Sequence, residues 1–240
     1  MEAIILAGGQ GKRLRSVVPD LPKPMAAVCN RPFLEHLLDY WLDQGVTRVV
    51  FSVGHKFEDI KSHFNSSYRD IPLDYAIEDY PLGTGGGLFL AANRTAGEGP
   101  VLVLNGDTFF QVSLESMLLF HNDKKASLTL ALFRAREEKR YGVIELDTAA
   151  RVVEMKTDSS GSRETSLMNG GVYLFSRSLL MTISRVRAEA VSLEHDIFPR
   201  LIKDPGAVYG YESQGRFIDI GTPEDYSRVE QTIFGKVQKV

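Results

Sequence analysis

Four charged residues in this chain stand where side chains can do chemistry. Arg13 and Lys23 lie on or just after a glycine-rich stretch, Leu6-Ala7-Gly8-Gly9-Gln10-Gly11-Lys12-Arg13-Leu14, and Asp107 and Asp219 end or interrupt apolar runs much later. Glycines just past a strand let the backbone approach a ligand closely, and their free N–H groups can cradle phosphate oxygens. Lys23 sits between Pro22 and Pro24, which restrict the backbone and lower the entropy cost of aiming its ammonium. The plainer reading of Arg13 and Lys23 is a pair of solvated loop charges. Asp107 follows the apolar run 101–104, and Gly106 before it gives the backbone room. Asp219 lies between Ile218 and Ile220, where a carboxylate is costly unless a charge or a metal compensates it. Asp107 could equally be a turn former in Asn105-Gly106-Asp107, and Asp219 could pair with Arg216 or cap a helix.

Two familiar phosphate motifs fail on this loop. A nucleotide P-loop needs glycine where Leu6 stands and Ser or Thr where Arg13 stands. A dinucleotide fingerprint needs Gly or Ala at Leu14 and an acid further on at the usual distance, which is missing.

The elements that must position these residues read as α/β. The run 3–6 suits a buried parallel strand, and Pro32 opens an amphipathic helix (Phe33, Leu34, Leu37, Leu38, Trp41, Leu42) that Gly45 stops. Strands at 49–53, 73–77 and 101–104 alternate with helical stretches at 58–64 and 114–122, and a glycine-rich turn at 83–87 leads into 88–92. That alternation predicts a mostly parallel sheet covered on both faces. Beyond 122 shorter strand-like runs at 127–132, 142–146, 152–155 and 167–175 predict an antiparallel part of the same mixed sheet, with a mobile loop at 156–166. A last strand at 217–220 leads to a helix with Thr222 as N-cap and Pro223 in its first turn.

The segment Gly8-Gly9-x-Gly11-x-Arg13-Leu14, followed by Pro22-Lys23-Pro24, resembles the signature of sugar-1-phosphate nucleotidyltransferases, and the likeness extends along nearly the whole chain. Within that family, residues 3–33 and Leu82-Gly83-Thr84-Gly85-Gly86 look most like D-glycero-D-manno-heptose 1-phosphate guanylyltransferases. The resemblance implies one Rossmann-like, GT-A-like domain over residues 1–240, a three-layer α/β/α fold, with a nucleotide-binding half (1–122) and a sugar-binding half (123–240). It implies Arg13 and Lys23 as catalytic residues and Asp107 and Asp219 as ligands of Mg²⁺. It also implies that Leu6, Ala7, Gly8, Gly9, Gly11, Glu78, Gly83, Thr84 and Gly106 contact the nucleotide. Glu78 points to GTP, because a carboxylate can accept from both guanine N1–H and the 2-amino group, whereas uracil offers one N–H between carbonyls; the plainer reading is a surface acid at a strand end.

On the sugar side the resemblance implies Gly142, Asn169 and Glu194, with Glu194 and Asp196 of Ser192-Leu193-Glu194-x-Asp196 reading equally as sugar contacts or as first-turn helix acids. Many relatives carry Phe-x-Glu-Lys where this chain has Met155-Lys156-Thr157-Asp158, and a shift of two places Glu154 and Lys156 in those roles with the strand phase kept. Both registers stay open, and with them the sugar. The expected substrates are GTP and a sugar 1-phosphate, with a mannose-1-phosphate guanylyltransferase or an amino-sugar uridylyltransferase as alternatives within the class. The alternative outside it is a catalytically silent nucleotide-sugar-binding subunit, which is expected to lack the lysine or an aspartate.

Composition excludes other classes. The formal net charge is −3 and charged residues make up 25%, which gives no electrostatic reason to expect nucleic acid or an anionic membrane. Cys29 is the sole cysteine, so neither an internal disulfide nor a Cys-based zinc site is expected. No apolar run approaches a membrane span, and the first residues do not have the form of a signal peptide, so the expected location is cytoplasmic. Oligomeric state is open, a homodimer among the options. The five histidines show no metal-ligand spacing.

Overall fold

The computed structural model describes residues 1–9, 11, 13–135, 143–156, 165–185, 190–204 and 207–235. Four parallel strands form its centre: β1 (Glu2–Leu6), β2 (Arg48–Val53), β3 (Ile71–Ile77) and β4 (Val101–Asn105), in the order β3-β2-β1-β4. The apolar runs read in the sequence become these strands; β1, β2 and β4 are near-continuously hydrophobic because both faces are covered, while β3, nearer the edge, carries an exposed Pro72 and a half-buried Asp74. A two-residue strand, Ser67–Tyr68, closes the β3 edge as a hairpin.

The second half builds the antiparallel part. After the short β5 (Thr108–Phe110) come β6 (Leu128–Ala135), β7 (Val143–Leu146), β8 (Val152–Lys156), β9 (Ser166–Phe175), β10 (Val208–Glu212) and β11 (Phe217–Asp219). The long β9 joins the halves, pairing antiparallel with β4 through Val172–Phe175 and with β6 on its other side. β10 runs parallel to β6, while β5 and β11 form a separate antiparallel ribbon.

Side chains alternate across this sheet and feed two apolar clusters. Ala3 and Ile5 of β1 point to one, with α1 (Phe33–Leu42), α2 (Phe57–Phe64), α4 (Leu114–Asp123) and α7 (Pro223–Phe234) packed over them. Ile4 points to the other, under α3 (Gly83–Ala92), α5 (Arg177–Ile183) and α6 (Phe198–Ile202). This is the expected three-layer α/β/α arrangement. Phe33, Leu34, Leu37, Leu38 and Trp41 of α1 are each at most 1% exposed, and burying such a side chain stabilises by about 1.5–3 kcal/mol.

Two local expectations change. The glycines at 83–87 are not a turn before a helix but the first turns of α3 itself. Residues 156 and 166, placed in a loop by their polarity, end β8 and begin β9, and 157–164 lie outside the described residues. Among the described residues no helix is long and apolar enough to cross a membrane.

Candidate active site

The carboxyl ends of β1 to β4 open into one cleft, the place where parallel α/β sheets hold ligands. β1 and β4 are in register with Leu6 beside Asn105, so the residues that follow each strand are neighbours: Ala7-Gly8-Gly9 on one side, Gly106-Asp107 on the other. A Cβ on Gly106 would lie 2.9 Å from the Leu6 carbonyl oxygen, which the Gly106 amide bonds at 2.9 Å. A side chain there would push the two loops apart.

Asp219 reaches the same point through the β5/β11 ribbon, which sets it opposite Thr108. The Ile220 amide then donates to the Asp107 carbonyl oxygen at 3.0 Å. Lys23 comes from below, on a single 3-10 turn (Lys23–Met25) that Pro22 enters in extended conformation. The segment after it is pinned to the second half of the chain: Tyr226 of α7 donates to the Ala27 carbonyl, and the Cys29 amide donates to Glu230 at 2.8 Å.

The lysine is 9% exposed, and its ammonium donates to Asp107 Oδ2 at 2.5 Å and to Asp219 Oδ1 at 3.0 Å. Asp219 thus pairs with Lys23 rather than with Arg216, whose guanidinium bonds the carbonyls of Thr232 and Ile233 at the end of α7. Burial pulls the Lys23 pKa down, and the charges and hydrogen bonds of both aspartates more than reverse this, so it stands above the ordinary lysine value. Burial, then the charge of Asp107, pushes the Asp219 carboxyl up, against the pull of Lys23. The opposing directions have one cause: a single ammonium shared by two carboxylates leaves a surplus negative charge in a low-dielectric site.

That surplus fits a divalent cation. The donors are hard carboxylate oxygens, and among the described residues no group of three or more His, Cys, Asp or Glu completes a ligand set. A cation held by these two carboxylates would have coordination positions left for phosphate oxygens and water, which is the usual manner of Mg²⁺.

The cleft has two connected parts. One, of about 200 Å³, is lined by Ala7, Gly11, Arg13 and Lys23, among others; the larger, of about 390 Å³, by Gly8, Ser52, Glu78, Gly83, Thr84 and Asn105, among others. Leu6, Gly9 and Asp107 border both. Glu78 follows β3 and is half-buried, and one carboxylate oxygen accepts from the Leu82 amide at 3.0 Å. Burial pushes its carboxyl up, against the hydrogen bonds of Leu82 and Ser52. Gly8 and Gly87 leave room for this carboxylate: a Cβ on either would lie 2.8 or 2.6 Å from Glu78 Oε1 and displace it from its present position. Gly83, with φ +72°, has its Cβ position filled by the Val191 carbonyl at 2.6 Å. Its requirement for glycine therefore comes from packing against that segment, whatever else it touches.

The sugar-side expectations fare unevenly. Thr84 and Glu194, read separately as nucleotide and sugar contacts, bond each other at 3.0 Å, and Ser192 also donates to Glu194 at 3.0 Å. Asp196 accepts from the Ser192 amide at 2.8 Å, a capping role in the π-type turn Leu193–Ile197. Asn169 is turned inward, donating to the buried Tyr173 hydroxyl at 2.9 Å and accepting from the Gly171 amide. Glu154 and Lys156 share one face of β8, but Lys156 is bound to Glu145 at 2.5 Å and to Glu154 at 3.2 Å. Neither lines the cleft described above. Gly142 lies outside the described residues. Ser52 and Asn105 line the cleft unforeseen; the signal for Ser52 was a hydroxyl inside an otherwise apolar strand.

The chain matches the nucleotidyl transferase family over residues 2–235. It is 41% identical over 233 residues to a D-glycero-alpha-D-manno-heptose 1-phosphate guanylyltransferase from Aneurinibacillus thermoaerophilus, covering 97% of this chain and 98% of that one. It is 36% identical to a protein of the same name from Campylobacter jejuni, covering 94% and 97%. Among solved structures, HddC from Yersinia pseudotuberculosis complexed with GMP-PN superposes with a TM-score of 0.81 at 32% identity, covering 96% of this chain and 98% of that one. A match of this extent, over a cleft built at the strand ends around Lys23, places the chain in the nucleotidyl transferase family.

Proposed function

We propose that this chain transfers the guanylyl group of GTP to D-glycero-α-D-manno-heptose 1-phosphate, releasing pyrophosphate and forming the GDP-sugar. The observation that carries the reading is the Lys23 ammonium held on both Asp107 and Asp219 at the junction of a two-part cleft whose other end holds Glu78. The relatives named above support the sugar, and the GMP-PN complex of one of them supports the base.

In this reading a sugar-phosphate oxygen attacks the α-phosphorus in line. The new P–O bond forms as the bond to the β-phosphate bridging oxygen breaks, and its electron pair leaves with pyrophosphate. The nucleophile is already anionic at neutral pH, so no general base is needed and catalysis rests on position and charge. The amides of Gly8, Gly9 and Gly11 with Arg13 hold the triphosphate, and Glu78 accepts from the guanine edge. Lys23 is the fixed positive charge beside the reacting phosphates, where preorganised charge acts most strongly. Mg²⁺ held by Asp107 and Asp219 would neutralise phosphate charge there.

A panel of four nucleoside triphosphates against heptose, mannose, glucose and amino-sugar 1-phosphates, read by pyrophosphate release, tests the assignment. GTP with the heptose phosphate is expected to react fastest; a preference for UTP or dTTP, or for another sugar, refutes that part of it.

A further inference from the structure

Past the phosphate part of the cleft lies a third cavity of about 200 Å³, joined to it at Gly11 and Lys23, which border both. Its wall carries Arg15, His55 and Lys56 besides Lys23, and no carboxylate side chain. The Arg15 guanidinium lies 3.5 Å from His55 Nε2, a long contact in which only the arginine can donate, so the two side chains stand together on the cavity wall. Lys56 donates to the Asp20 carbonyl at 2.6 Å and has φ 57°, in the left-handed region, just before α2.

Many arginines elsewhere in the chain are paired with acids, although the Arg216 guanidinium bonds backbone carbonyls instead. Arg31, Arg48, Arg69, Arg134, Arg151 and Arg177 each sit on a carboxylate. Arg15 and Lys56 have no acid partner among the described residues. Gathering like charges around a cavity without a counter-ion is unfavourable, and an anion in the cavity relieves it.

The three cavities stand in series. Glu78 marks one end, Asp107 and Lys23 the middle, Arg15 and Lys56 the other end. That order matches base, α-phosphate and terminal phosphates of a nucleoside triphosphate, a correspondence that rests on the nucleotidyl-transfer reading above. We propose that Arg15, His55 and Lys56 seat the terminal phosphates of the triphosphate and the pyrophosphate released from them. Cations there stabilise the charge that gathers on the bridging oxygen as the bond to the α-phosphorus breaks.

Calorimetry on the full chain with Mg²⁺ present, using inorganic pyrophosphate and GMP as separate probes, tests this. The variants are Arg15→Ala and Lys56→Asn, asparagine being tolerant of left-handed backbone. Each is expected to weaken pyrophosphate about tenfold to a hundredfold, as for loss of a charge-assisted hydrogen bond, while GMP binding stays at the wild-type level and reports an intact fold. Unchanged pyrophosphate affinity overturns the proposal, and so does equal weakening of both probes, which would mean a general field rather than contact. A wild-type chain that binds pyrophosphate but not GMP, with the variants still losing pyrophosphate, sinks the guanine reading and leaves this one standing. Binding of GMP without pyrophosphate does the reverse.

Discussion

Replacing Lys23 with Met removes the one ammonium between Asp107 and Asp219 while keeping the length and much of the volume of the side chain. At 2.5 and 3.0 Å and an effective dielectric near 20, the gross attraction to each carboxylate is about 6 kcal/mol. Desolvation of the buried groups takes back most of it, and breaking such a pair costs about 3–5 kcal/mol through the uncompensated charge left behind. Asp107 is 37% exposed, so water screens part of the loss and the low end, about 3 kcal/mol, applies. In a chain of this size that lowers Tm by about 6–12 °C in the presence of a chelator.

The same substitution has the opposite effect on cation binding. In the wild type a metal must compete with the ammonium for both carboxylates; in Lys23→Met it does not. Mn²⁺ affinity without nucleotide is expected to rise at least about tenfold, equivalent to about 1.4 kcal/mol, and Mg²⁺ is expected to restore most of the lost Tm. Turnover still falls by about 10² or more, because the charge beside the reacting phosphates is gone. Thermal melts in chelator and in Mg²⁺, Mn²⁺ titration and pyrophosphate release read the three effects. A variant that melts like wild type in chelator, binds Mn²⁺ no more tightly and keeps wild-type turnover would falsify the shared-ammonium account.

Glu78→Gln is expected to weaken GMP by about 1.5–3 kcal/mol and narrow the preference for GTP over UTP, measured as a ratio of kcat/KM. Burial lifts the free Glu78 carboxyl above its ordinary 4.5, and guanine's donors favour the ionised form, so wild-type GMP affinity rises as pH climbs through that raised value and then levels; a flat profile refutes the contact. Gly83→Ala puts a Cβ 2.6 Å from the Val191 carbonyl at φ +72° and is expected to cost about 2–4 kcal/mol in urea unfolding; a loss under about 0.5 kcal/mol means the 191 segment yields freely. Glu2 is held by Arg177 and the Ala96 and Gly97 amides, which overcome its burial and lower its pKa to about 2. Its contribution is therefore complete above 4.5 and lost as pH falls towards 2. Glu2→Gln should remove about 2 kcal/mol at pH 7, after allowance for screening, and little at pH 2; an equal loss at both refutes the ionic account.

The parallel centre of the fold was legible because β1, β2 and β4 are short apolar runs with turn residues after them, and α1 has a strong apolar face closed by Gly45. The start of α3 was not. Glycine is a poor helix former, so Gly83–Gly87 read as a turn, but contacts remote in sequence decide the matter: Val191 fills the space over Gly83 and Gly85, and Glu78 with Ser52 fills the space over Gly87. Strand β10, Val-Tyr-Gly-Tyr-Glu, was hidden in the same way, since Gly210 lies against Leu132 and Leu146 where a Cβ would stand.

The site divides along the same line. Lys23, Asp107 and Asp219 stood out because each breaks its local context: a lysine between prolines, an acid after an apolar strand, an acid inside one. Their meeting depends on the β5/β11 ribbon, and three residues of β5 carry too little pattern to announce a strand. On the sugar side every polar residue had a plausible local use, so spacing could not choose among uses. The structure spends Asn169 on Tyr173, Asp196 on Ser192 and Lys156 on Glu145. Glu194 differs, because its partner Thr84 sits on the first turn of α3 and borders the nucleotide cleft. Thr84 and Ser192 both donate to Glu194 Oε2, so a sugar hydroxyl accepted by Oε1 would share one carboxylate with Thr84 and couple recognition of the sugar to the wall of the nucleotide site.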